Sequence, residues 1–237
     1  MPVRATRKYS RKPRKYVKRK PTVSKAVKKY VRRTMPAIER KCNWYHDNEV
    51  QLNTLSQGAM QGYPLVTQAL AATGRIGNDI NVSMFQIKGV LNNNSGSESW
   101  ARCIVCSHDG TIDPNMGTFP LFVNGASNNT VTISTINGLD TMYYPLNKTD
   151  LTVYYDRKFR LAGSATGNAG NNTSMFNKTI KFPGKGKRFT FKGNTTGVNQ
   201  QSAFISVIWI VADANDDTTT GTTVELSQLT RYWYTDV

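Results

Sequence analysis

The 237-residue chain carries 31 Lys and Arg against 15 Asp and Glu, a net charge of +16, with three cysteines, two histidines and 38% hydrophobic residues. Three cysteines make no disulfide framework, and no apolar run approaches the ~20 residues of a membrane span. The N-terminus is charged and lacks the apolar stretch of roughly 7–15 residues that a secretory signal needs, so none is expected.

Residues 1–41 hold 17 of the basic side chains and one acid, Glu39, whereas residues 42–237 hold 14 bases and 14 acids. The sequence therefore reads as a polycationic arm (1–41) joined to a neutral body (42–237). Charge at this density, with few apolar residues to offset ordering entropy, predicts that residues 1–20 are disordered when free. A polyanion relieves the repulsion: each Lys or Arg that neutralises a phosphate releases a condensed counterion, which gives strong, salt-sensitive and largely sequence-blind nucleic-acid binding. The candidate binding residues are Arg4, Arg7, Lys8, Arg11, Lys12, Arg14, Lys15, Lys18, Arg19 and Lys20, with Arg32 and Arg33 in support. Arginine grips phosphate bidentately, and the interleaved Tyr9, Tyr16 and Tyr30 offer rings on which unpaired bases stack, which favours single strands. The clusters at 11–15 (Arg11, Lys12, Arg14, Lys15) and 18–20 (Lys18, Arg19, Lys20) also have the composition of nuclear import signals.

Val23, Ala26, Val27, Tyr30 and Val31 share the spacing of one helix face, Thr22 stands at a capping position and Pro36 stops the run, so a short helix is predicted over 22–34. At about a dozen residues it is marginal alone and forms against a partner. Nucleic acid, an anionic membrane and the inside of an assembly all suit its basic face.

The body reads as strands separated by Gly-, Asn-, Ser- and Thr-rich turns, the pattern of an all-β sandwich or barrel in one domain. A first strand is expected over 46–55, followed by a long Gln-, Gly- and Ala-rich connection to Gly74. In the next, Ile80, Val82 and Met84 alternate before the parity shifts to Phe85, Ile87 and Leu91, which predicts a bulge or burial on both faces. Residues 100–107 form a third strand, and 131–136, with 119–123 before it, a fourth region. Leu151, Val153, Tyr155, Phe159 and Leu161 alternate with mostly polar neighbours, a half-buried strand. A loop over 163–172 leads to strands at 175–182 and 188–192 flanking a basic hairpin, PGKGKR (183–188). Residues 203–214 are apolar on both parities, a central strand, and 224–235 form the last of about eight.

Chemistry is sparse in the body. CIVCSH (103–108) resembles a metal motif, but an i, i+3 cysteine pair in a strand points to opposite faces, so Cys103 and Cys106, like Cys42, read as reduced thiols with no metal. Neither histidine lies in a nucleophile or metal motif, the acids are scattered, and PGKGKR lacks the spacing of a phosphate-cradling loop. No cofactor and no catalytic residue is expected, and the chain reads as non-enzymatic. The acidic run DANDDTTTG (213–221), with Asp213, Asp216 and Asp217, reads as an exposed turn, since a calcium loop counted from Asp213 misses its Gly and its Glu; an intersubunit cation site is the alternative.

A basic arm on a neutral eight-stranded body resembles a small-virus capsid protein. The segments RIGNDINVSMFQIKG (75–89), YPLNKTDLTVYYDRKFRLA (144–162), FNKTIKFPGKGKRFTF (176–191) and LTRYWYTDV (229–237) are similar to capsid proteins of circular, replication-initiator-encoding single-stranded DNA viruses, the circovirus-like group. The resemblance implies a single eight-stranded jelly roll, a homo-oligomer of about sixty copies closed as a T=1 icosahedral shell, and arms turned inward on a single-stranded DNA circle. It also implies residence in the virion, passage through the host nucleus with import receptors as partners, and a cell-surface receptor of unknown kind. Satellite viruses with RNA genomes share the plan, and the arm's chemistry suits DNA and RNA alike. Two other classes fit in part: a cellular nucleic-acid-binding module with a basic tail, which would show a basic face on the body, and a carbohydrate-binding sandwich, which would expose aromatics among Trp44, Trp100 and Tyr63 on one face.

Overall fold

The computed structural model describes residue 24 and residues 39–53, 59–66, 74–110, 112, 118–124, 130–132, 138–163, 172–192, 202–213 and 223–237. The helix expected over 22–34 and most of the loop expected over 163–172 lie outside them. The described elements are β1 (Lys41–Asn53), β2 (Ala59–Tyr63), β3 (Asp79–Asn93), β4 (Ser99–Asp109), β5 (Phe122–Val123), β6 (Thr130–Val131), the one-turn helix α1 (Asp140–Tyr143), β7 (Thr152–Leu161), β8 (Thr173–Lys181), β9 (Lys187–Thr190), β10 (Ala203–Asp213) and β11 (Thr223–Asp236).

Two antiparallel sheets carry the fold. Sheet A runs β1-β11-β3-β8, with β9 also on β3, and sheet B runs β2-β10-β4-β7. Apart from β4 and β7, which neighbour one another, successive long strands alternate between the sheets, and the last strand, β11, returns between β1 and β3. This interleaved order is the jelly roll, two Greek keys folded over one core. The eight long strands match the expected count but not the expected set: β2 stands where a connection was expected, the strand expected at 188–192 is β9, and of the region expected at 131–136 the described part meets only β6. β9 continues the line of β8, and β5 and β6 form a small ladder in the β4–β7 connection.

In sheet B the central strands β4 and β10 are buried on both faces, and this accounts for their being apolar on both parities. One face of β4 and β10 (Ala101, Cys103, Val105; Ile205, Val207, Trp209, Val211) packs against sheet A around Phe85, Ile87, Phe176, Leu226 and Tyr232. The other face (Ile104, Cys106; Ile208, Ile210, Ala212) packs against Phe119, Leu121, Phe122, Met142 and Leu151 from the β4–β7 connection. Arg102 pins that connection down. Its guanidinium donates to both carboxylate oxygens of Asp156, each at 2.8 Å, and to the carbonyls of Thr141 and Tyr144 at 2.8 and 3.1 Å. Between the sheets, the Trp209 indole lies 4.9 Å from the Phe176 ring and donates to Gln228 Oε1 at 2.9 Å, and the Gln228 amide donates in turn to Asp47.

Two bulges set which residues reach the core. Opposite Trp233 and Tyr234 the register of β3 skips Ser83, so Ile80 and Val82 before it and Phe85, Ile87 and Leu91 after it all face inward, as the parity shift predicted. In β7 the register skips Tyr154. Its apolar residues therefore do not share one face: Leu151 and Val153 join the outer cluster, while Phe159 and Leu161 join the core between the sheets. The long connection after β1 contains a strand, β2, whose Ala-Met-Gln-Gly-Tyr composition carries no alternation; pairing with β10 makes it an edge strand.

PGKGKR is not a hairpin. β8 and β9 both pair with the same edge of β3, at 84–92 and 79–82, so they run along one line and the intervening residues step out of it at the Ser83 bulge. Gly184 and Gly186 adopt φ of 68° and 89° there, and a Cβ on Gly186 would come within 2.5 Å of the Val82 carbonyl oxygen, whereas Gly184 borders open space.

His108, at the end of β4, is buried, 5.3 Å from the Phe204 ring in a stacked arrangement and edge-on to Phe119 at 5.0 Å. Its Nε2 lies 2.9 Å from Ser206 Oγ and its Nδ1 2.9 Å from the Asp109 carbonyl. Burial pulls its pKa below the ordinary 6.5, Lys187 adds to that, and the Asp109 carbonyl and carboxylate oppose it.

Two predictions follow from these positions. Gly186→Ala is expected to lower stability by about 2–3 kcal/mol, left-handed strain plus the collision with Val82, and Gly184→Ala by about 1 kcal/mol; urea midpoints compare them, and equal losses would mean that the approach to Val82 does not govern the step. Because the folded His108 binds its proton more weakly than the unfolded one, its contribution is present above about pH 6.5 and is lost as pH falls below it. The melting temperature of His108→Gln should therefore fall less steeply between pH 7 and 5 than that of the parent chain, and parallel curves would remove His108 as the source.

Candidate nucleic-acid interface

The twelve arm residues singled out above, Arg4 through Lys20 together with Arg32 and Arg33, lie outside the described residues, as do the two import-signal clusters. The described residues at the junction of arm and body are Glu39 and Arg40, both exposed, and Lys41. Lys41 counts toward the arm's charge in sequence, but it is the first residue of β1 and buried. Its ammonium is 2.7 Å from an Asp236 carboxylate oxygen and 2.9 Å from the Gly74 carbonyl. Its charge is thus matched within the body.

The remaining sequence motifs separate. Cys103 faces the core between the sheets and Cys106 the outer cluster, so the pair does not converge; burial raises both thiols, Cys106 to about 12. Asp213, at the end of β10, is buried and accepts a hydrogen bond from Ser97 Oγ at 2.9 Å, while Asp216 and Asp217 lie outside the described residues. In the PGKGKR step, Lys187 is half-buried and donates to Ser107 Oγ at 3.1 Å, and burial lowers its pKa. Arg188 is ion-paired to Asp79 at 2.7 Å, and the hydrogen bonds from Arg188 and Thr190 hold the Asp79 carboxyl below its usual range. Of that basic run only Lys185 extends from an exposed turn.

Of the aromatics weighed for a surface role, Tyr63 is fully buried, Trp100 is half-buried on sheet B, and Trp44 is 61% exposed. Trp44 belongs to the outward face of sheet A. With one face of sheet A on the core, the pleat sends every alternate side chain the other way. The registers place these in rows across β8, β3, β11 and β1: Lys181, Met84, Trp233 and Cys42; then Thr179, Gln86, Arg231 and Trp44; then Asn177, Lys88, Leu229 and His46. Lys88, Lys181, Trp44 and His46 are exposed, and Arg231 and Trp233 half-buried. Among the described residues, none of Lys88, Lys181 and Arg231 has a carboxylate within ion-pairing distance. The other acids of sheet A have partners or positions of their own: Asp47 accepts from Gln228, Asp236 pairs with Lys41, Asp79 is matched by Arg188, Glu225 accepts from Asn94 at 2.8 Å, and Glu49 lies at the register slip in β1. A body of zero net charge therefore carries a locally basic, aromatic face, which a charge sum over 196 residues conceals. The trace of it in sequence is the outward parity of β11, Leu229-x-Arg231-x-Trp233.

No protein-family model and no curated protein matches the sequence. Among solved structures, the chain aligns with the structure of infectious bursal disease virus Gt strain at 8% identity, covering 85% of this chain and 34% of that one with a TM-score of 0.28. It aligns with the VP2 subviral particle of infectious bursal disease virus at 11% identity, covering 84% and 38%, with a TM-score of 0.27. The chain spans little more than a third of the length of these proteins, and at such scores the overlap adds nothing to the strand order, on which the jelly-roll assignment rests.

Proposed function

We propose that this chain is a viral capsid subunit that self-assembles into a closed icosahedral shell and packages a single-stranded DNA genome through its basic arm. The observation that carries this reading is the segregation of charge: the surplus of +16 resides in residues 1–41, attached to a jelly roll whose own charges sum to zero. A neutral body lets subunits meet edge to edge without like-charge repulsion, while the arms need a polyanion before they can be gathered into one volume. With about sixty copies under closed symmetry, the arms bring on the order of a thousand positive charges, comparable with the phosphates of a small genome. Assembly and packaging are then one equilibrium.

The clusters at 11–15 and 18–20 would serve import into the host nucleus before they are buried on nucleic acid. An RNA genome satisfies the same electrostatics, and a nuclease sensitivity assay on the packaged material separates the two. A structural role in the virion is also consistent with the body's chemistry: Cys103 and Cys106 are buried on opposite faces of sheet B, Cys42 stands apart on sheet A, and the buried histidine packs between two phenylalanine rings.

The test is light scattering on the purified full-length protein, with absorbance at 260 and 280 nm read across the same peak. A peak near 1.6 MDa, about sixty times the chain mass of 26.5 kDa, with excess absorbance at 260 nm is expected. Removing residues 1–38, which keeps the Lys41–Asp236 pair, should leave a body that no longer retains nucleic acid above about 0.3 M salt. A monomer indifferent to added nucleic acid would overturn the capsid reading.

A further inference from the structure

The outward face of sheet A has a composition that its place in the fold does not require. A sheet face left to solvent is ordinarily covered with mixed charges and short polar side chains. This one presents three cations unmatched by acids among the described residues, two tryptophans and an open depression. The depression, about 480 Å³, is lined by His46, Lys88, Val90, Met175, Asn177 and Leu229. Gly89 forms part of its wall, where a side chain would collide with the Ser227 carbonyl and the Phe176 ring. Met175, on its rim, is 77% exposed.

We propose that this face is a second contact for single-stranded nucleic acid, carried by the folded body and separate from the arm: Lys88, Lys181 and Arg231 meet backbone phosphates, and Trp44 and Trp233 take the faces of unpaired bases. This rests on the packaging reading and names where on the body the packaged strand lies.

Three considerations select this occupant. Cations alternating with aromatic rings across one surface match the alternation of phosphate and base along a single strand, and base–aromatic stacking contributes about 1–3 kcal/mol per base without regard to sequence. A duplex keeps its bases stacked inside and offers nothing to Trp44 or Trp233. A second copy of the same face is disfavoured, because an isologous contact would bring Arg231, Lys88 and Lys181 against their own counterparts. Chain connectivity agrees: the arm enters β1 at Lys41, and Cys42 and Trp44, the first outward residues of that strand, flank Trp233 and Arg231.

The experiment uses full-length protein and a fluorescein-labelled oligo(dT) of about thirty nucleotides. Titration of the parent chain should quench tryptophan emission, and Trp44→Phe and Trp233→Phe should each remove part of that quenching, while Trp100→Phe leaves it. Lys88→Gln with Arg231→Gln should make the slope of log K against log salt less negative by about 1.4, two phosphate contacts at roughly 0.7 each for a single strand. Trp44 and Lys88 are exposed, so melting temperatures of their variants should match the parent's, and those of the half-buried Trp233 and Arg231 variants should stay high enough for the titrations to read folded protein. A variant with Arg4, Arg7, Arg11, Arg14 and Arg19 changed to Gln should bind more weakly yet keep the quenching.

If the parent chain does not bind the oligonucleotide at all, the packaging reading fails and this contact with it. If the parent binds but the tryptophan and charge variants behave as the parent does, the arm acts alone and this proposal is overturned while packaging stands. Binding of the face to glycans or to anionic vesicles, abolished by Trp44→Phe with oligonucleotide binding untouched, also overturns it.

Discussion

The central strands of sheet B are enclosed on both sides, and the rest of the molecule is arranged around that fact. Burying both faces of β4 and β10 requires two covers. One is sheet A; the other is the β4–β7 connection, with its short ladder and single helical turn held by Arg102. Such a guanidinium is costly to take out of water unless each of its donors is answered, and here a bidentate carboxylate and two carbonyls answer them. Sheet A has no equivalent cover among the described residues, so the two central strands of sheet B are turned inward on both faces while sheet A has a face to offer.

That asymmetry matches the asymmetry of charge. Among the described residues, four carboxylates of the body are ion-paired: Asp156 with Arg102, Asp79 with Arg188, Glu98 with Arg160 and Asp236 with Lys41. The unmatched cations on sheet A are few, but they stand in the same rows as the tryptophans. Polyelectrolyte attraction from the arm acts at range and is screened within about a nanometre at physiological salt, whereas stacking acts only at contact. The two together would first collect a strand and then seat it.

Much of this architecture was legible in sequence, and the failures have identifiable causes. The parity shift between Met84 and Phe85 announced the bulge at Ser83, because a core residue that changes parity can stay in the core only if the backbone inserts an extra residue. The same reasoning misplaced β7: its alternation is regular in sequence, but the bulge at Tyr154 divides it between two hydrophobic clusters, and nothing local distinguishes those destinations. β2 escaped notice because an edge strand of Ala, Met, Gln, Gly and Tyr is defined by its partner β10 and has no periodicity of its own. PGKGKR looked like a hairpin since two strands flank it; only the register on β3 shows that the flanking strands are collinear. The basic face was invisible to a sum of charges, being a property of which parity faces outward.

The Lys41–Asp236 pair has a mechanical consequence. It ties the first residue of β1 to the far end of β11, at the start of the described body. A pull on the arm directed along β1 is carried by the β1–β11 ladder in shear, many antiparallel hydrogen bonds sharing the load at once, with the ion pair resisting the opening of the first rung. A load applied at Lys41 therefore reaches β11, the strand between β1 and β3, before any other element of the body.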